Sequence, residues 1–369
     1  MDVMRAANER AAEGHDIVHM EVGQPGTPAP RLVREAVKAA VDRELLGYTE
    51  ALGMPALRER IARHYRDAYG VEVSPAEVIV TAGSSAGFVL AFLALLDEGA
   101  RLLMPEPGYP CYRNIARAFG IEPVAMPVGD AERWMPADAA LAGFAARQGK
   151  PDALLFASPA NPTGTALTNE ALAGVCAWCD REGVITISDE IYHGLTFAAP
   201  VQTARAYSRN AVVINSFSKY YSMTGWRIGW MVVPPELVRP IERLAQNLYI
   251  SPAAISQMAA LAAFDATEEL ETNKAVYAAN RDLLLNELPR AGFTSLAPAD
   301  GAFYLYADVG HLTNDSQDFA QRMLREAGVA ATPGIDFDPA RGARFMRFSY
   351  AGTTAAMAVA ARRLQAWLR

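Results

Sequence analysis

The sequence predicts an α/β fold: a large domain with a mainly parallel sheet flanked by helices, and a smaller α+β domain. Three observations lead there. The apolar runs Ala153-Leu-Leu-Phe-Ala157, Val184-Ile-Thr-Ile-Ser188 and Ala211-Val-Val-Ile-Asn215 each lead into a polar loop, and strands buried on both faces read as unbroken apolar runs. Helix-like segments alternate with them, as at Asn169 to Glu182, where Gly183 breaks the helix ahead of the second run. A chain of 369 residues, 51% hydrophobic and 20% charged, exceeds one average domain and can bury a large core.

In chain order, Val78-Ile-Val-Thr81 reads as a strand, Ala82 to Gly87 as a small-residue turn and Phe88 to Leu96 as a helix. Such a unit turns backbone N–H groups and the positive end of a helix toward an anion, and Ser84 and Ser85 add hydroxyl donors. Pro107-Gly-Tyr-Pro110 follows the next strand end; Tyr109 there is placed to stack on a flat ring or simply to pack. Ligands of open α/β sheets collect at the carboxyl ends of the strands. Asn161, Asp189 and Lys219, each just beyond such an end, are therefore expected in one pocket. From about Ala253 the texture turns helical, including Ile255 to Leu288, with strands at Ala302 to Tyr306 and Arg344 to Phe348. The expected division is a large domain at 29–252 and a small one made of 1–28 and 253–369. With no low-complexity linker or repeat between them, the two should pack closely.

Charge and cysteine content narrow the function. The formal charge is −7, from 34 basic and 41 acidic residues, and no basic block stands out, which argues against nucleic acid or an anionic membrane as partner. No apolar stretch is long enough to span a bilayer, and the first residues lack a secretory pattern, so a cytoplasmic location is expected. Cys176 and Cys179 form a lone C-x-x-C within a helical segment. Without a second ligand pair this spacing reads as packing rather than a metal site, and no metal is expected.

The segment Ser216-Phe-Ser-Lys-Tyr-Tyr-Ser-Met-Thr-Gly-Trp-Arg-Ile-Gly229 places a lysine among small and hydroxyl residues, with Arg227 eight positions on. A lysine amine forms a Schiff base with an aldehyde, and a guanidinium offers a phosphate a fixed fork of donors. Pyridoxal phosphate carries both groups.

Together the motifs carry a family likeness: Glu21-Val-Gly-Gln-Pro25, Gly47-Tyr-Thr49, Gly83-Ser-Ser85, Pro107-Gly-Tyr109, Asn161-Pro-Thr-Gly164, Asp189-Glu-Ile-Tyr192, Ser216-Phe-Ser-Lys219 with Arg227, and Arg347-Phe-Ser349. Over nearly its whole length the chain resembles the class I/II aminotransferases, fold-type I enzymes dependent on pyridoxal 5'-phosphate. The resemblance implies that Lys219 anchors the cofactor and then moves the proton between the substrate α-carbon and the cofactor. It implies that Asp189 pairs with the pyridine nitrogen; read alone, Asp189 would be a helix N-cap. Tyr192 and Asn161 would bond the phenolic oxygen, although Asn161 before Pro162 also reads as turn chemistry. Ser84, Ser85, Ser216, Ser218 and Arg227 would hold the phosphate, and Tyr109 would cover the ring. Tyr48 would reach the phosphate of a neighbouring subunit, which makes a homodimer part of the site. Arg347 would clamp the substrate carboxylate with help from Asn161 and the backbone near Gly23; without the motif it would read as a solvent-facing strand residue.

The departures bear on substrate. Pro25-Gly-Thr-Pro28 replaces the acidic and aromatic residues many relatives have there, and Gln246 stands near the position of the arginine of the dicarboxylate-specific branch. A buried side-chain carboxylate would need another cation, with Arg205 or a partner-chain residue as candidates. The expected reaction is ping-pong transfer from a neutral, aromatic or broadly apolar L-amino acid to 2-oxoglutarate or pyruvate. Carbon–sulfur β-lyase and aspartate aminotransferase activity are the alternatives. A role inside a transcriptional regulator would need a DNA-binding stretch that this sequence does not show.

Overall fold

The computed structural model describes residues 2–369, so residue 1 of the expected 1–28 segment lies outside the described residues. Helix α1 (Asp2–Ala12), strand β1 (Val18–His19), and helices α2 (Arg31–Arg43) and α3 (Pro55–Tyr69) precede the large sheet. That sheet has seven strands: β2 (Val78–Thr81), β3 (Arg101–Glu106), β4 (Glu122–Pro127), β5 (Ala153–Ala157), β6 (Ile185–Asp189), β7 (Val212–Ser216) and β8 (Gly229–Val232). Their order is β2-β8-β7-β6-β5-β3-β4; β8 runs antiparallel to both neighbours and the other pairings are parallel. Helices α4 (Ser84–Leu95), α5 (Pro110–Ala118), α6 (Asp138–Gln148) and α7 (Asn169–Glu182) connect the strands from β2 to β6, and α8 (Pro235–Leu248) follows β8. Val212, Val213 and Ile214 are wholly buried, as are Leu154 and Leu155 beside them, the result expected for strands covered on both faces. Asp189 pairs in register with Ala157 on one side and Ile214 on the other. The polar ends of three strands therefore share one edge of the sheet.

Two expectations change. Helix α4 begins at Ser84 rather than Phe88, with Gly83 as its N-cap at φ +80°, which puts both serines in its first turn. Ser-Ser-Ala-Gly is a poor helix former by propensity, but this helix is buried around most of its circumference, and packing outweighs propensity. The single helical stretch expected from Ile255 to Leu288 is interrupted at Phe264 to Ala266, giving α9 (Ala254–Ala263) and α10 (Thr267–Arg290).

Helix α9 packs on α2 and α3, and its Ala259, Ala260 and Ala263 join Leu57, Ile61 and Trp230 in the large domain's core. Tyr277, Leu284 and Leu288 of α10 belong instead to the second core with Phe303 and Phe348. Helix α10 thus contributes to both cores, through Leu270 to the first and Tyr277 to the second. The second core supports an antiparallel sheet of β9 (Ser295–Leu296), β10 (Tyr304–Asp308), β12 (Thr332–Pro333) and β13 (Phe345–Ser349), in the order β12-β13-β10-β9. Strand β11 (Val329–Ala330) pairs with β1 and so ties the N-terminal segment to this layer. Helices α11 (Ser316–Arg322) and α12 (Thr354–Trp367) complete it. Among the described residues, no helix is long and apolar enough to cross a membrane.

Candidate active site

A cavity of about 970 Å³ opens where the carboxyl edge of the large sheet meets the small domain. Gly23, Ser84, Ser85, Tyr109, Asn161, Asp189, Tyr192, Ser218, Lys219, Arg227 and Arg347 all line it. The sequence thus places eleven of its site residues around one space. Arg347 arrives from β13 of the small domain, while Asn161, Asp189 and Lys219 follow β5, lie at the end of β6 and follow β7.

Burial sets the electrostatics of the deep wall. Lys219 Nζ donates to the Gly23 carbonyl. Burial, reinforced by the nearby positive charge of Arg347, lowers its pKa to about 8. Asp189 accepts from the Tyr112 hydroxyl at Oδ2 and from the Ile191 N–H at Oδ1, the latter at 3.0 Å. Burial nevertheless raises its pKa to about 6. Turn backbone rather than a helix follows Asp189, so its side chain closes a turn and is not a helix cap. The hydroxyls of Tyr192 and Tyr304 lie 2.7 Å apart.

Arg347 is only 6% exposed, contrary to a solvent-facing strand residue. Nη1 donates to Asn161 Oδ1 at 2.9 Å, and Nη2 donates to the Glu21 carbonyl at 2.6 Å and to Thr332 Oγ1 at 3.1 Å. Its guanidinium carbon sits 4.4 Å from the Tyr304 ring centre and 4.8 Å from that of Phe337. Nε is buried without a partner. The fork is thus oriented by neutral acceptors and aromatic faces, and among the described residues no carboxylate pairs with it, which suits it to bind one from a ligand.

The opposite end of the cavity is an anion cradle. The first intrahelical bond of α4 runs from Gly87 N–H to the Gly83 carbonyl, leaving the N–H groups of Ser84, Ser85 and Ala86 unused by the helix. A Cβ on Gly83 would come 2.4 Å from Arg227 Nη2, so glycine is what lets the guanidinium approach this helix end. Arg227 itself takes φ +50° and donates through Nη1 to the Thr224 carbonyl at 3.0 Å. These groups fit a phosphate.

Two expected residues lie outside the cavity. The Ser216 hydroxyl is 3.1 Å from the Ile228 carbonyl and accepts from the Ser218 N–H; it is buried behind Ser218 and shapes the turn instead of lining the space. Tyr48 is 86% exposed on a surface loop. Sequence reading also missed lining residues. Tyr112 is one turn along α5 from Tyr109, the i, i+3 spacing that brings two side chains to one face. Tyr304, Thr332 and Phe337 carry no local signal, because only the packing of the small domain brings them in. Arg205, considered as a second cation, is held by Glu77 at 2.7 Å and does not line the cavity; nor does Gln246, exposed on α8. Cys176 and Cys179 are buried in the core, and burial pushes their thiols up to about 12 and about 11, consistent with packing.

Residues 15–364 match the model of the family described as aminotransferase class I and II. The chain belongs to that family. It is an aminotransferase, of a family that uses pyridoxal phosphate. It is 50% identical to a valine–pyruvate aminotransferase of Mycobacterium tuberculosis, over 100% of this chain and 95% of the relative. The crystal structure of an aminotransferase from Mycobacterium tuberculosis superposes with a TM-score of 0.97 at 49% identity, covering 100% and 95% of the two chains. The aspartate aminotransferase of Thermus thermophilus with maleate gives 0.93 at 30% identity, covering 99% and 95%. These likenesses extend over both domains, so the aminotransferase fold is shared along the whole chain.

Proposed function

We propose that this aminotransferase uses pyridoxal phosphate to move the amino group of an apolar L-amino acid to a small neutral 2-oxo acid such as pyruvate. The observation that carries the substrate class is the wall beside Arg347. Val22, Tyr109, Pro333 and Phe337 line the cavity there and give a substrate side chain an apolar surface. The cavity's other arginines are Arg227 at the anion cradle and Arg5, Arg10 and Arg325; Arg5 pairs with Asp2, and Arg10 reaches the Arg325 carbonyl. The half-identical valine–pyruvate relative supports the same class.

Ser84, Ser85, Ser218, Arg227 and the first turn of α4 would hold the cofactor phosphate, with Ser216 bracing Ser218. Tyr109 would cover the ring, Asp189 would pair with its nitrogen, and Tyr192 and Asn161 would bond its phenolic oxygen. The bound cofactor supplies an electron sink for the pair left behind when the substrate α-proton departs. Lys219 would anchor it and, once released, take that proton on Nζ. A pKa of about 8 leaves part of the amine neutral near physiological pH, the form that accepts a proton. Arg347 fixes the substrate carboxylate, which orients the α-hydrogen toward Lys219.

Valine added without an acceptor should abolish the visible band of the aldehyde-loaded enzyme, and pyruvate should restore it. A band that survives valine and alanine but responds to aspartate would overturn the apolar reading.

We also infer a homodimer with Tyr48 lent to the neighbouring site. Thr49 N–H donates to Ser251 Oγ, bringing Leu45 (96% exposed) and Tyr48 toward Leu248 and Ile250, both half exposed. An exposed apolar group of this kind marks a protein contact. Sedimentation should give a species of two chains, and a fully active monomer would remove this assignment.

A further inference from the structure

We propose that Glu21 determines specificity: its carboxylate, buried beside the substrate cavity, disfavours donors and oxo acids whose side chains end in a carboxylate. The inference rests on the neutral-substrate reading above and names the residue that enforces it.

Glu21 is 6% exposed and lines the cavity. Oε1 lies 2.9 Å from His19 Nδ1, while Oε2 is buried without a hydrogen-bond partner. Among the described residues, no lysine or arginine nitrogen stands within 4.0 Å of it, and half-exposed His19 is its one ion-pairing neighbour. Burying a carboxylate oxygen with nothing to bond is costly. An apolar residue would fill this place at lower cost if packing were its whole task, so the buried, unpaired oxygen points to a role for the charge itself.

Position gives the role. The Glu21 carbonyl accepts from Arg347 Nη2 at 2.6 Å and from Thr332 Oγ1 at 2.9 Å. The residue that orients the carboxylate clamp therefore carries a negative side chain of its own. Arg347 offers charge for one ligand carboxylate, the α-carboxylate common to every amino acid. A second carboxylate on the side chain would meet the field of Glu21, while the other deep cations of the cavity, Lys219 and Arg227, are those assigned above to the cofactor. A like charge held near a bound carboxylate at a protein-like dielectric weakens its binding by about tenfold or more. Neutral side chains do not meet this penalty, so the selectivity comes from repulsion of the wrong substrate.

The test is Glu21→Gln, which keeps the shape and removes the charge. Its readout is kcat/KM, with pyruvate as acceptor, for two pairs of near-equal size: glutamate with glutamine and aspartate with asparagine. The ratio of acid to amide should rise by about tenfold or more. General damage to the site lowers both members of a pair and leaves the ratio in place. A ratio that moves less than twofold, in this variant and in Glu21→Ala as a second version, overturns the role of Glu21. Wild-type enzyme that prefers aspartate to valine would sink the substrate reading instead, and the change of ratio on substitution would still decide Glu21.

Discussion

Replacing Lys219 by alanine is expected to lower the transamination rate at least about 10³-fold, the scale of a lost general base, and at the same time to relieve the cofactor-free protein of a buried charge. The structure places Lys219 partly buried, with Nζ against the Gly23 carbonyl. Its pKa falls from 10.5 to about 8, so the unfolded chain holds the proton more tightly than the folded one. Below pH 8 both states are charged and folding bears the full cost of burying the ammonium. Between pH 8 and 10.5 the folded state loses its proton and the cost fades; above 10.5 it is gone. The cost below pH 8 is about 3 kcal/mol. The alanine variant also loses packing of the aliphatic stem, but that loss does not vary with pH. Urea unfolding of the two cofactor-free proteins should therefore favour the variant more at pH 7 than at pH 10. Equal stability differences at the two pH values would remove the buried-charge account, and normal turnover would remove Lys219 from the mechanism.

The same residue shows how far sequence alone reaches. Lys219, Asp189 and Asn161 are spread over almost sixty positions, yet each follows or ends an apolar run, and parallel strands bring such ends to one edge. That part was legible because strand burial is written in composition. What depends on side-chain direction was not. Ser216 and Ser218 look equivalent in the motif, but only Ser218 lines the cavity, while the Ser216 hydroxyl is held by the Ile228 carbonyl and the Ser218 hydroxyl behind it. The start of α4 was obscured because burial, not propensity, forms its first turn. Tyr112 holds Asp189 through one hydrogen bond that has no signature beyond a helical spacing. Thr332 and Phe337 enter through the docking of the small domain, a long-range event that no local pattern encodes.

Substituting Arg347 should separate recognition of the carboxylate from the chemistry at the α-carbon. The guanidinium is held on three sides, by Asn161 Oδ1, the Glu21 carbonyl and Thr332 Oγ1, and sandwiched by Tyr304 and Phe337. A lysine keeps the charge but cannot reproduce that planar fork, so Arg347→Lys should lower kcat/KM for valine by about 10²-fold. Arg347→Met should cost more, about 10³-fold or beyond, because it also strips the donors from three buried acceptors. Isobutylamine, which is valine without its carboxylate, supplies the control. It never engages Arg347, so its slow turnover should change far less than that of valine in either variant. If valine and isobutylamine fall together, Arg347 supports the architecture of the site rather than binding the substrate. If valine alone falls, the binding contribution of this one side chain is read directly from the difference between the two substrates.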